Sequence, residues 1–340
     1  MRGRYLVGSW AFTDPDAAQD TPLHLLSLDG GRPALVRPEG EARAVYFGAV
    51  EPGAGSAILL HNDAQRSSMS RQAWNTSGAL VERGRWTDGD EGGSYVAFDT
   101  TGRYFAVANS KTGWSVFRNG ETPERIARLQ HEGSGPHPRQ ARSHPHCIVF
   151  SPDNRWLYAV DMGADEVLAY PFDAESGNIG AKRIAFRAEA GAGPRHILFH
   201  AGSAYLLNEL DNTLVVLAVE ANGRLVRRQT VGTLPDDFTA FSHTAHLAFD
   251  RTRNALLVSN RGHDSIACLE LGLDGLVTGR HWSPSGGEWP WFFLSAGDGT
   301  LLVANTLSDR ISLLEPDGPF GFRVAEQIAV RRPAFLAQIG

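Results

Sequence analysis

Tyr158-Ala-Val-Asp161-Met-Gly-Ala-Asp165-Glu-Val-Leu-Ala-Tyr170 is an apolar run, a polar residue, a second polar residue four positions on, and another apolar run. The phrase returns as Tyr205-Leu-Leu-Asn208-Glu-Leu-Asp-Asn212-Thr-Leu-Val-Val-Leu217, around Asn260 and Asp264, and around Asn305 and Asp309. A looser copy ends at Asn109, and two weaker ones end at Ser9 and Asn62. Seven such anchors, spaced 45 to 53 residues apart, mark a repeat. A unit of that length holds four short strands and their turns, the blade of a propeller. The turns carry their own chemistry: Ser151-Pro-Asp-Asn154, Asp99-Thr-Thr-Gly102, Asp274-Gly275 and Asp298-Gly299. No helical period runs through 12 residues. The expected fold is all-β: one seven-bladed β-propeller domain over residues 1–340, with four-stranded antiparallel blades. Ala334-Phe-Leu-Ala-Gln-Ile339 reads as a last strand that enters the first blade and closes the ring, which removes an exposed sheet edge.

Bulk composition excludes several classes. No apolar run approaches the roughly 18 residues that a membrane-spanning helix needs, and no basic tract offsets the net charge of −6. Neither a membrane nor a nucleic acid is an expected partner. Met1-Arg-Gly-Arg-Tyr-Leu-Val-Gly-Ser-Trp10 reads as a first strand and not as a signal peptide. Cys147 and Cys268 lie inside apolar runs, so they are expected as buried free thiols in a cytoplasmic protein. The chain is expected as a monomer or weak homo-oligomer.

The chemistry converges through hairpin geometry. The strand before each anchor forms a hairpin with it, and the residue before the first strand lies at the same end as the residue after the second. His146 and Arg195 hold matching positions before their strands; Glu209 and Arg261 hold matching positions just past their anchors. Other repeats carry Ser94, Ala245, Met162 and Thr306 at these places, so the charges concentrate in consecutive blades. His146 and Glu209 can move protons near neutral pH. Arg195 and Arg261 can hold a carboxylate or phosphate, or stabilise an oxyanion. Ordinary ion pairing at a solvated rim is the competing reading. His144 and His146 lack a third partner of metal-ligand logic, so no metal is expected. His196 reads as a hydrogen-bonded core histidine. Trp282, Trp289, Phe292 and Phe293 read as packing between blades.

Arg139-Gln-Ala-Arg-Ser-His-Pro-His146, Pro152-Asp153, Gly193-Pro-Arg-His196, Asn208-Glu-Leu210 and Ser259-Asn-Arg-Gly262 together resemble the seven-bladed lactonase family. That family includes bacterial 6-phosphogluconolactonases of the propeller type and fungal carboxymuconate-cyclising enzymes. The resemblance implies a metal-independent enzyme, without a cofactor, acting on a small acidic lactone or its open form. It implies a histidine and a glutamate as acid–base residues and arginines on substrate carboxylates, which fall here on His146, Glu209, Arg195 and Arg261. His144 is assigned to substrate binding with them. The chain departs from the family at Pro290-Trp291, where a Pro-Arg pair is usual, and at Asn62-Asp63, where Asn-Glu is frequent. Trp291 is therefore a candidate for the substrate rim, with a less charged and flatter substrate.

The expected function is hydrolysis of a small acidic or sugar lactone, with catalytic His146, Glu209 and Arg195 and substrate-binding Arg261, His144 and Trp291. A carboxymuconate-type cycloisomerase using the same residues is the alternative. A non-catalytic propeller that binds a metabolite or a protein is the third reading, and it needs none of the four rim charges.

Overall fold

The computed structural model describes residues 2–10, 22–29, 33–36, 44–53, 55–62, 67–75, 79–87, 89–296 and 298–339. Its strands form seven four-stranded antiparallel sheets, the blades of a seven-bladed propeller. Two short 3-10 turns, Pro138–Gln140 and Thr306–Ser308, are the helical segments among the described residues.

Two compact units divide the sheets. The unit formed by residues 87–232 and 273–276 holds three of them. The third sheet is Gly93–Phe98, Tyr104–Asn109, Gly113–Arg118 and Glu124–Leu129. The fourth is Pro145–Phe150, Trp156–Asp161, Glu166–Pro171 and Arg183–Arg187. The fifth is Pro194–His200, Ser203–Asn208, Thr213–Val219 and Leu225–Gly232. The other unit holds the remaining four. In its first sheet the C-terminal strand Pro333–Gln338 pairs with Arg2–Ser9, the closure read from the sequence. The second sheet opens with Val45–Val50 and Ser56–Asn62, the sixth with His243–Asp250 and Ala255–Arg261, and the seventh with Pro290–Ser295 and Leu301–Asn305.

The anchors fall where the repeat placed them. Six end the strands at Ser9, Asn62, Asn109, Asp161, Asn208 and Asn305; the seventh, Asn260, is followed by one more strand residue, Arg261. Five of the strands that carry them, those bearing Asn109, Asp161, Asn208, Asn260 and Asn305, are buried throughout. A strand covered on both faces reads as a continuous apolar run instead of an alternating one. Tyr158, Val160, Leu206 and Leu217 are fully buried in one cluster joining the fourth and fifth sheets. Each such side chain stabilises the fold by about 1.5–3 kcal/mol relative to exposure. The fourth strands are the wet edges; Glu124–Leu129 has no fully buried residue.

The second polar residue of the repeat has a backbone reason. Asp165, Asn212, Asp264 and Asp309 all adopt left-handed φ, between 50° and 56°. Asn and Asp tolerate this region far better than apolar residues do. The three aspartates among them also hold the next sheet: Asp165 accepts from Gly193 N at 2.8 Å, Asp264 from Trp289 N at 2.8 Å, and Asp309 from Arg332 N at 2.8 Å.

Candidate functional site

All seven sheets share one irregularity at the start of the first strand. Pro145 pairs with Asp161 and Cys147 with Val160, so His146 is an extra residue with no partner across the hairpin. Arg195 is the extra residue between Pro194, which pairs with Asn208, and His196, which pairs with Leu207. Trp291, Tyr46, Ser94 and Ala334 occupy the same place in their own sheets, and the register breaks at Ala245 and His246 in the sixth. A β-bulge re-aims the side chain it carries. The equivalence of His146 and Arg195 is thus a shared bulge, a device invisible in the apolar pattern.

Glu209 leaves the other strand of the fifth hairpin, its N–H bonded to Gly193 O at 2.7 Å. Its carboxylate is fully buried. Oε2 accepts from Arg195, which is buried beside it, and Oε1 accepts from Arg139, which is half exposed. Both oxygens are thus engaged by guanidinium donors, the strong, charge-assisted kind of hydrogen bond.

Arg139 is the residue that sequence reasoning missed. It opens the motif Arg139–His146, but nothing in its spacing ties it to Glu209. The tie is made by the turn Pro138–Gln140. His137 caps that turn, accepting from Arg139 N at 3.2 Å, and Gln140 closes the capping box by accepting from His137 N at 3.1 Å. Gln140 then donates to Met162 O at 2.8 Å and to Asp165 at 2.6 Å. The turn is pinned to the end of the fourth sheet, and Arg139 reaches Glu209 from there.

His144 and His146 lie with near-parallel rings, centroids 6.1 Å apart. Asp161 fixes the approach to them, accepting from His144 N at 2.8 Å, Gly163 N at 2.9 Å and the Ser143 hydroxyl. His146 packs against His196 at 5.5 Å, and His196 meets Tyr95 edge-on at 5.2 Å. His146 is 4% exposed. Burial, reinforced by the Arg195 charge, holds its pKa well below 6.5; burial also lowers that of His144. Both imidazoles are neutral at pH 7. His146 Nδ1 is sealed from solvent and has no hydrogen-bond partner among the described residues.

Arg261 and Trp291 fall in the other compact unit. Arg261 reaches back to the start of its own hairpin, donating to Thr244 O at 2.7 Å. Its Cζ lies 4.7 Å from the ring of Trp291 and 5.3 Å from that of Trp289. Trp291 stacks on Trp10 at 5.0 Å and meets Tyr46 edge-on at 5.8 Å. The aromatic departure from the family motif is therefore part of a cage around a guanidinium. Phe293 is core, fully buried, and Trp282 donates its indole N–H to Thr233 O at 2.7 Å, as packing residues do. Asp63 lies outside the described residues. Cys147 and Cys268 are free and buried, and burial pushes each thiol up to about 12.

The description "Lactonase, 7-bladed beta-propeller" matches residues 30–333. An uncharacterised protein of Lactococcus lactis subsp. cremoris strain MG1363 is 37% identical over 204 residues, 58% of this chain and 59% of its own length. The 6-phosphogluconolactonase of Bacillus subtilis strain 168 is 28% identical over 312 residues, 88% of each chain. The structure of a periplasmic gluconolactonase of Pseudomonas aeruginosa superposes with a TM-score of 0.88 at 24% identity, covering 99% of both chains. At that identity the likeness shows the fold alone.

Proposed function

Since the chain belongs to the seven-bladed β-propeller lactonase family, we propose that it hydrolyses the ring ester of a small acidic or sugar lactone. The observation that carries this is the neutral His146 beside the buried clamp of Arg195, Glu209 and Arg139. A neutral imidazole is the form able to accept a proton. In the proposed reaction His146 takes a proton from water as its oxygen attacks the lactone carbonyl. The carbonyl oxygen becomes an oxyanion, stabilised by the guanidinium of Arg195. The acyl–oxygen bond of the ring then breaks, and the departing ring oxygen takes the proton back from His146. The products are the open hydroxy acid and an unchanged enzyme.

This narrows the roles expected from the sequence. Glu209 is the other residue able to act as a general base. With each oxygen engaged by a guanidinium, it serves better as the residue that orients Arg195 and Arg139. His144, parallel to His146, is assigned to substrate binding. Arg261 and Trp291 keep their assignment to substrate binding, the former for an anionic group and the latter for an apolar ring face. The reaction is proposed to need no metal and no cofactor, in one domain, and in the cytoplasm, where two buried free thiols suit a reducing compartment. Among the described residues no helix is long and apolar enough to cross a membrane.

The test is a panel of neutral and anionic lactones assayed in ¹⁸O-labelled water. Hydrolysis places one solvent oxygen in the carboxylate product. Turnover without label would make the enzyme a cycloisomerase. No turnover of any lactone, with tight binding of an open acid, would make it a binding propeller. Activity that survives exhaustive chelation supports the metal-free mechanism; loss restored by one added metal ion contradicts it.

A further inference from the structure

A cavity of about 410 Å³ opens beside the third sheet, lined among others by Lys111, Arg128, Gln130, His131, Arg142 and Ser143. It lies wholly inside one compact unit. Three permanent cations line it against one carboxylate, Glu132, in a chain whose net charge is −6. Their partners are unequal. Arg128 meets the buried Asp90 at 2.6 Å. Lys111 meets Glu91 at 3.2 Å, an exposed pair that solvent screens. Arg142 has no carboxylate partner among the described residues. His131 is already held, by Glu166 at 2.8 Å and Lys182 at 3.3 Å.

The wall is built, not loose. Gly163 is essential to it, because a Cβ there would come within 1.9 Å of Arg142 O. Gly113 has φ +121°, and a Cβ on it would meet Leu129 O at 2.3 Å. The Ser143 hydroxyl is bonded to Asp161. The segment 130–145 supplies most of this wall and also carries Arg139, the second guanidinium on Glu209.

We propose that this cavity binds a small multivalent oxyanion through Arg142, Lys111 and Arg128. Guanidinium and ammonium donors around a concave site fit phosphate or a polycarboxylate. The anion has two possible sources: a free oxyanion acting as an effector, or the charged tail of a substrate.

The probe is inorganic phosphate, titrated into the full-length protein by calorimetry at constant ionic strength, with chloride as the control. Saturable binding is expected, weakened at least tenfold in Arg142→Ala and in Lys111→Ala and kept in Arg195→Ala. Arg142 is exposed, so an unchanged Tm will show that its variant is folded. No saturation beyond the chloride control overturns the proposal. So does binding lost in Arg195→Ala and kept in Arg142→Ala, which would place phosphate at the His146 cluster instead. This readout needs no turnover, so its failure is distinct from failure of the lactonase reading, on which only the kinetic arm rests. In that arm, phosphate altering kcat for a neutral lactone, with the effect abolished in Arg142→Ala, identifies a free effector. A KM raised in Arg142→Ala for an anionic lactone only identifies the substrate's tail.

Discussion

Arg195 and Glu209, fourteen residues apart, meet because the bulge that displaces Arg195 and the end of the strand that releases Glu209 lie at one end of one hairpin. The pair is buried, and Glu209 also holds Arg139. Removing the shared carboxylate leaves one guanidinium buried without its counter-ion, which is far more costly than losing a surface pair.

Glu209→Gln is therefore expected to destabilise the fold by about 3 kcal/mol, the low end of the range for breaking a buried pair. Arg139→Ala should cost well under half of that, since its side chain is 42% exposed. Urea denaturation of both variants is the check. A Glu209→Gln loss below about 1 kcal/mol would mean that the clamp does not hold Arg195 in solution.

The two depressed histidines set the direction of the pH response. The folded His146 has a pKa well below 6.5, so on acidification the unfolded chain binds a proton first. Stability is then lost as pH falls below about 6.5, by up to about 1.4 kcal/mol per pH unit for one such group. His144 adds in the same direction. His146→Gln should show a shallower loss than the parent between pH 6.5 and 5.5. An identical slope would show that His146 titrates normally in the fold. As proton acceptor, His146 should also leave kcat flat from pH 6.5 to 8, and His146→Ala should lower kcat by roughly 10²-fold or more.

Arg195 and Trp291 separate binding from chemistry. If Arg195 stabilises the oxyanion, Arg195→Ala lowers kcat; a raised KM with kcat unchanged would reduce it to a ground-state anchor. Trp291→Arg should raise the ratio of kcat/KM for an anionic over a neutral lactone. The new guanidinium lies within reach of Arg261, whose Cζ is 4.7 Å from the indole it replaces, and only an anion relieves two adjacent cations. A ratio equal to the parent's would show that Trp291 only packs against Trp10 and Arg261.

Deleting residues 334–340 removes most of the strand that pairs with Arg2–Ser9. An unpaired sheet edge remains. If residues 1–340 unfold as one domain, the parent shows a single calorimetric transition and the truncation lowers its Tm throughout. Two transitions, with only one shifted, would mean that the two compact units unfold separately.

The sequence by itself determined the blade repeat, its seven anchors and the pairing of the chain's last strand with its first. It also determined that His146, Arg195 and Glu209 stand at hairpin ends. These are local matters: strand runs, left-handed Asp and Asn after the anchors, and the antiparallel geometry of each hairpin. Tertiary structure alone decided three things. The bulge decided where His146 and Arg195 point, because one unpaired residue leaves no trace in an apolar pattern. Arg139 joined the site because its turn is pinned by Gln140 to Met162 and Asp165, contacts with no periodicity in the chain. The neutral state of His146 was decided by burial, a property of what surrounds a side chain and not of its place in the sequence.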